Sequence, residues 1–215
     1  NNLIHNGLLN KCKFIKKNKK PKIKNMFYLP HINENNIKND ISLKNNIIIT
    51  GPNASGKTTI IKSTIINLFL SQSIGYGCYS SCNTNIYDHF HCYLNIPDTS
   101  NRDSLFQAEA RRCKDILTFI EKNKNKNHFC IFDEIYSGTN PGDAVLCATL
   151  YLKELNKSKN NVDYLITTHY IDICETFNKD EIIINKKMNC ILNKDNKIKY
   201  LFKLKNGISK INGGM

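Results

Sequence analysis

Eight consecutive residues, Gly51-Pro52-Asn53-Ala54-Ser55-Gly56-Lys57-Thr58, fit the pattern GxxxxGK[ST] in full. The chemistry of such a loop is the holding of phosphates. Its glycines let the backbone wrap so that successive N–H groups point at phosphate oxygens, and the following helix adds the positive end of its dipole. On this reading Lys57 bridges the β- and γ-phosphates of ATP as a point charge, the Thr58 hydroxyl holds Mg²⁺, and Thr59 completes the nucleotide-binding turn.

A second chemical group lies downstream. Asp133 and Glu134 end the apolar run Phe129-Cys130-Ile131-Phe132, which puts two carboxylates at the C-terminal end of a central strand, where open α/β sheets bind ligands. Asp133 suits coordination of Mg²⁺ through water, and Glu134 suits the poising of an attacking water as base or orienter. Acids at a strand end usually just face solvent; the phosphate loop upstream makes this pair a catalytic candidate. Thr167-Thr168-His169-Tyr170 closes another apolar strand and brings His169 to the same edge, where an imidazole can hydrogen-bond the γ-phosphate or the water.

These groups work only if strands and helices carry them. Residues 46–50 form a β-branched run before the glycine-rich turn, and residues 58–70 place Ile60, Ile61, Thr64, Ile65, Leu68 and Phe69 at helical spacing. The spacing predicts strands at 129–132 and 164–168, a helix at 142–155, and a hairpin of 190–192 with 198–204 that turns at Asp195-Asn196. Strands alternating with helices predict an α/β fold on a mostly parallel central sheet flanked by helices.

Composition bounds the rest. With 215 residues and 40% of them hydrophobic, the chain can bury one substantial core. Residues 1–26, with Lys16, Lys17, Lys19 and Lys20 clustered, read as a basic linker or tail; the abrupt start at Asn1 and end at Gly213-Gly214-Met215 read as a portion cut from a longer protein. No run of roughly 18 apolar residues and no signal-like segment is present, so a soluble intracellular protein with no membrane contact is expected. Nine scattered cysteines, odd in number, suit a reducing compartment such as cytoplasm or nucleus, without a disulfide framework. The group Cys78, Cys82, His89, His91 and Cys92 matches no zinc spacing with a CxxC pair. A net charge of +13 points toward an anionic partner, but lysine and asparagine are abundant in every loop, which weakens the inference.

Several separated motifs resemble one family. Ile49-Thr50-Gly51-Pro52-Asn53, then Asp133-Glu134-Ile135 with Ser137-Gly138-Thr139-Asn140, then Thr167-Thr168-His169-Tyr170 are similar in order and wording to the C-terminal ATPase domain of MutS DNA mismatch-repair proteins. Asp103-Ser104-Leu105-Phe106-Gln107-Ala108-Glu109 resembles that family's Ser-Thr-Phe-x-x-Glu segment. Ser104 with Gln107 is also a capping box, which predicts a helix from Ser104 through about Glu121. The resemblance covers residues 27–215 and implies a P-loop NTPase of the ABC-ATPase-like kind that hydrolyses ATP with Mg²⁺. It also implies a homo- or heterodimer through this domain, and mismatched or damaged DNA bound by other parts of the full-length protein. The site it implies is Lys57, Glu134 and His169 in cis, with Ser104 reaching in trans to the γ-phosphate held by a partner subunit. It further places Ile37 against adenine and Phe202 in a base-stacking position.

The departures are Ala54-Ser55 for Met-Gly, Thr58 for Ser, Leu105 for Thr, and Tyr136-Ser137 for Gly-Arg. None removes a required donor or ligand. Asn95-Ile96-Pro97-Asp98-Thr99 and Ser137-Gly138-Thr139-Asn140-Pro141 are similar to MutS-related proteins of large DNA viruses. Nothing resembles a mismatch-reading domain or the long lever and clamp helices. A rival ATPase of the ABC or chromosome-maintenance kind calls for an LSGGQ-like helix start, which is absent. A second rival, a nucleotide-dependent dimerisation module with little turnover, is opposed by the presence of Glu134.

Overall fold

The computed structural model describes residues 2–16, 20–32, 36–94, 104–157, 161–193 and 197–211. Lys17 and Lys19, the string 95–99, Asp103, and the turn residues Asp195 and Asn196 lie outside them. In chain order the elements are α1 (Asn2–His5), β1 (Asn10–Phe14), β2 (Lys22–Met26), β3 (Asn39–Ser42), β4 (Asn46–Thr50), α2 (Lys57–Ile74), β5 (Tyr76–Gly77), β6 (Ser81–Thr84), β7 (His89–Tyr93), α3 (Leu105–Lys122), β8 (His128–Asp133), α4 (Pro141–Lys157), β9 (Val162–Thr168), α5 (Ile171–Thr176), β10 (Ile183–Leu192) and β11 (Ile198–Asn206).

Two mixed sheets result, one of six strands in the order β11-β10-β4-β9-β8-β7 and one of five in the order β3-β2-β6-β1-β5. In the larger sheet β10, β4, β9, β8 and β7 pair in parallel, and β11 joins β10 antiparallel. In the smaller sheet only β1 and β6 are parallel. The expectation of a mostly parallel central sheet flanked by helices is thereby corrected: both sheets are mixed, and the smaller is largely antiparallel. Residues 1–26, expected as a linker or tail, supply β1 and β2, and Ile23 and Met26 are buried. Each of these strands buries only one or two side chains among lysines, too few to signal a strand by alternation.

Side-chain parity divides the core. Ile48, Cys130, Phe132, Tyr164 and Ile166 face α3, α4 and α5 on one side of the large sheet. Ile47, Ile49, Phe129, Ile131 and Leu165 face α2 and the inner side of the small sheet on the other. Every residue of β4 and β9 is buried, as befits strands covered on both faces.

Asn67, fully buried on α2, ties these layers together. Its amide donates to Phe27 O (3.1 Å) and Ser63 O (2.9 Å), and its Oδ1 accepts from Cys78 N (2.6 Å). Asn67→Ala strands a buried N–H and a buried carbonyl, and is expected to lower stability by about 2–3 kcal/mol in urea unfolding. A change within about 0.5 kcal/mol, the range of ordinary surface substitutions, would mean that Asn67 does not join the layers.

The histidines of the Cys/His group separate from the buried Cys78 and Cys82 and gather with His128 instead. The His91 ring stacks on His128 (centroids 5.3 Å), with His91 Nε2 3.0 Å from His128 Nδ1 and Phe119 edge-on. Among the described residues no group of three or more His, Cys, Asp or Glu is arranged to hold a metal ion. Burial, with His128, His89 and Arg112 pressing the same way, holds the His91 imidazole down at about 4. The unfolded chain protonates it near the ordinary 6.5, so acid favours unfolding between those values. The contribution is fully present above pH 6.5 and lost as pH falls toward 4. The urea midpoint is expected to fall through that window, less steeply in His91→Asn; equal slopes for the two proteins would refute this assignment.

Candidate functional site

β4 ends at Thr50, and the chain then turns through Ala54 (φ +59°) and Gly56 (φ +94°) into α2. A Cβ on Gly51 would lie 2.7 Å from Ser55 Oγ and 3.0 Å from Met188 Cβ; one on Gly56 would meet the Phe202 ring at 3.2 Å. Both positions therefore call for glycine. Gly56 occupies the N-cap of α2 and offers no side chain to the first-turn N–H groups, so these remain available to an anion. Ser55 Oγ is buried with no partner. Lys57 is 5% exposed; its Nζ donates to Gly51 O (2.9 Å) and Pro52 O (3.4 Å) and pairs with Glu134 Oε1 at 3.0 Å.

Asp133 is the last residue of β8. Its carboxylate accepts from Thr58 Oγ1 at 2.8 and 3.1 Å and from Thr167 Oγ1 at 2.6 Å. Glu134 comes next, with a left-handed backbone (φ +49°), and its N–H donates to Thr167 O (3.2 Å) and Thr167 Oγ1 (3.1 Å). Its second carboxylate oxygen lies 3.9 Å from His169 Nδ1.

Residues 53–59, Asp133 and Glu134 line a cavity of about 780 Å³, together with Ile37 and Phe202. Gly51, Pro52, Asn53, Glu134 and His169 line a smaller recess of about 330 Å³, so Asn53 and Glu134 border both spaces. The larger space suits a ligand of nucleotide size. The donor set fits Mg·ATP: open backbone amides and a buried ammonium for phosphates, and a hydroxyl against a carboxylate for the metal. Ser104 lines neither space. It caps α3 from an exposed position, accepting from Gln107 N and donating its own N–H to Gln107 Oε1, both at 3.3 Å.

Four contributors have roles that residue type and spacing do not give. Thr167 links the two acids, and only the β8–β9 register, which sets it beside Asp133, reveals it. Tyr28 and His31, with ring centroids 5.4 Å apart, line the large cavity from a stretch with no motif. Glu109, 2% exposed on α3, accepts from Ser137 N and Ser137 Oγ through Oε1 and from Gly138 N through Oε2, all at 3.1 Å. A Cβ on Gly138 would strike the Leu105 side chain at 2.6 Å, so the first turn of α3 sits directly on the turn beyond Glu134. Two hints were available for Glu109: the family-like segment 103–109 that ends on it, and the periodicity of α3, which places it near the apolar face.

A phosphate loop between a buried strand and a helix, opposed by two carboxylates from a strand of the same sheet, defines a nucleotide-binding α/β domain. The family model for MutS domain V matches residues 47–215, and the chain belongs to that family, whose members are ATPases. It is 30% identical over 192 residues, 86% of this chain and 22% of the relative, to the DNA mismatch repair protein MutS of Bacteroides fragilis. It is 28% identical over 172 residues to the DNA mismatch repair protein MSH3 of Candida albicans, covering 74% of this chain and 16% of that protein. It is 29% identical over 154 residues to Endonuclease MutS2 of Lactococcus lactis subsp. cremoris, covering 72% and 19%. The chain spans about a fifth of the length of these relatives. Among the described residues no helix is long and apolar enough to cross a membrane.

Glu109→Ala leaves the Ser137 and Gly138 amides without their acceptor and is expected to lower stability by about 3 kcal/mol in guanidinium unfolding. Glu109→Gln, which sets an NH₂ group against one of those donors, should lose part of that amount. Both variants unfolding like the unaltered chain would refute the clamp.

Proposed function

We propose that this domain binds Mg·ATP between the 51–58 loop and Asp133, hydrolyses it, and closes against a second ATPase domain in doing so. The observation that carries the reading is the convergence of two distant parts of the chain, Lys57 with Glu134 at 3.0 Å and Thr58 with Asp133 at 2.8 Å. Bound Mg·ATP supplies the metal charge and the reactive γ-phosphoryl group. The chain's own part begins with Lys57. A phosphate oxygen that competes for its ammonium draws it away from Glu134, and the freed carboxylate can then accept a proton from water. Asp133, kept in place by Thr58 and Thr167, holds the metal side. His169 stands across Glu134 from Lys57 and can orient the water or offset developing charge. Ile37 and Phe202 flank the base.

Ser104 acts in trans on this reading. It is exposed, it stands at a helix N-terminus, and its hydroxyl hydrogen is not used by the capping box, so it can donate to a phosphate held by another subunit. Closure of such a dimer on ATP, and release on hydrolysis, would couple nucleotide state to DNA-binding parts elsewhere in the full-length protein. Names of relatives that refer to mismatch repair support a role in that process. A place near the MutS-related proteins of large DNA viruses rests on the wording of residues 95–99 and 137–141.

Lys57→Ala is expected to abolish nucleotide binding, and Glu134→Gln to keep binding while lowering kcat by about a hundredfold or more. Titration with a fluorescent ATP analogue and a phosphate-release assay separate the two effects. Unchanged turnover in both variants would overturn the assignment, and tight binding without turnover by the unaltered dimer would favour a dimerisation module.

A further inference from the structure

Four lysines share the outer face of the five-stranded sheet. Register sets Lys13 beside Asn83, Asn83 beside Lys22, and Lys22 beside Ser42, across β1, β6, β2 and β3. The adjacent row brings Tyr76 beside Lys11 and Ser81 beside Lys24. The alternate residues Cys12, Cys82, Ile23 and Ile41 are buried in the core, so the lysines are turned outward by strand geometry. Their anchor points are about 7 Å apart along a strand and about 10 Å apart across two strand intervals. All four are exposed, and among the described residues none has a carboxylate within ion-pair distance. The nearest acid by register, Asp40 at the β3 edge, accepts from Asn25 N at 2.8 Å. Residues 1–32 hold eight lysines and no Asp or Glu, so every one of the chain's 18 acids lies elsewhere. General lysine abundance does not explain that separation.

We propose that this lysine face docks the sugar–phosphate backbone of a nucleic acid. The surface chemistry is what selects the partner. Lysine with Ser, Asn and Tyr is the set of side chains that contacts phosphates and sugars without reading bases. A protein partner calls for an apolar anchor at the centre of the patch, and a membrane surface calls for apolar side chains to insert; neither stands among the lysines. Lysine ammonium groups act as mobile point charges, so the contact is independent of sequence and strongly salt-dependent. The inference does not rest on the proposed ATPase chemistry, since none of these residues lines the nucleotide cavity.

The test is fluorescence anisotropy of a labelled mixed-sequence DNA duplex titrated with the 215-residue chain at several NaCl concentrations. The variant Lys11→Glu/Lys13→Glu/Lys22→Glu/Lys24→Glu is expected to bind at least about tenfold more weakly, with a log–log salt slope shallower by roughly three. A control with the same net charge, Lys114→Glu/Lys122→Glu/Lys124→Glu/Lys153→Glu, alters exposed lysines elsewhere and is expected to stay within about twofold of the unaltered chain. Far-UV circular dichroism melts check folding, and the four Lys→Gln changes at 11, 13, 22 and 24 replace the reversal if it does not fold. Equal losses in both sets would overturn the proposal, as would no binding by the unaltered chain. So would tighter binding to phosphatidylserine vesicles or polyglutamate than to the duplex at equal salt.

Discussion

Parallel pairing of β4, β9 and β8 aligns the C-terminal ends of three buried strands, and the chemistry of the chain stands on that line. Thr50 pairs with Thr168, and Asp133 with Thr167. The segment after each strand therefore leaves the sheet at one edge: the 51–58 loop after β4, His169 after β9, Glu134 after β8. A slip of one residue between β8 and β9 would turn Asp133 to the opposite face and remove it from both Thr58 and Thr167. The apolar side chains on the two faces of these strands oppose such a slip, because it would exchange Phe132 and Ile131 between cores built for different shapes.

The turn beyond β8 is the strained part of this arrangement. Glu134 and Tyr136 both have left-handed backbones, a conformation that costs a side-chain-bearing residue roughly 1–2 kcal/mol. Tyr136 stands where the resemblance leads one to expect glycine, and burial of its ring against Phe106 offsets part of that cost. The Glu109 carboxylate supplies the remainder by accepting three hydrogen bonds from Ser137 and Gly138. A buried carboxylate is itself expensive, and with only one donor it would weaken the fold. With three donors it over-determines the turn, so the position of Glu134 depends on α3, the helix whose first turn carries Ser104.

Legibility followed side-chain pattern. The uniformly apolar runs were readable as central strands, and the 46–50 strand coincides with β4. The helices at 58–70 and 142–155 appear as α2 and α4 with their ends extended. The loop and acid motifs were readable because their residue types are rare in that order. β1, β2 and β6 were not readable, since each exposes Lys, Ser or Asn at alternate positions and buries little more than Cys12, Ile23 or Cys82. Thr167 and Glu109 act through partners distant in the chain, a threonine across one strand pairing and a carboxylate on backbone amides. Both stand in segments that the family resemblance covers, but no local pattern gives the partner that either one holds. Ser104 was readable as a helix cap, but a role in trans requires a second chain, and one chain alone leaves it outside the cavity.

The smaller sheet exists to close the core. α2 by itself leaves part of the layer formed by Ile47, Ile49, Phe129, Ile131 and Leu165 open, and Ile23, Met26, Ile41, Tyr79 and Cys82 complete it. That duty determines only the inward-facing residues. Alternation then turns every second side chain to solvent, where serine, glutamate or threonine would serve the fold as well as lysine. Four like charges on β1 and β2, with β6 between the two strands, repel one another, and intervening acids would relieve the repulsion. Their absence from the first 32 residues is therefore a feature that folding does not require and mildly opposes, in keeping with a surface that meets an anionic partner.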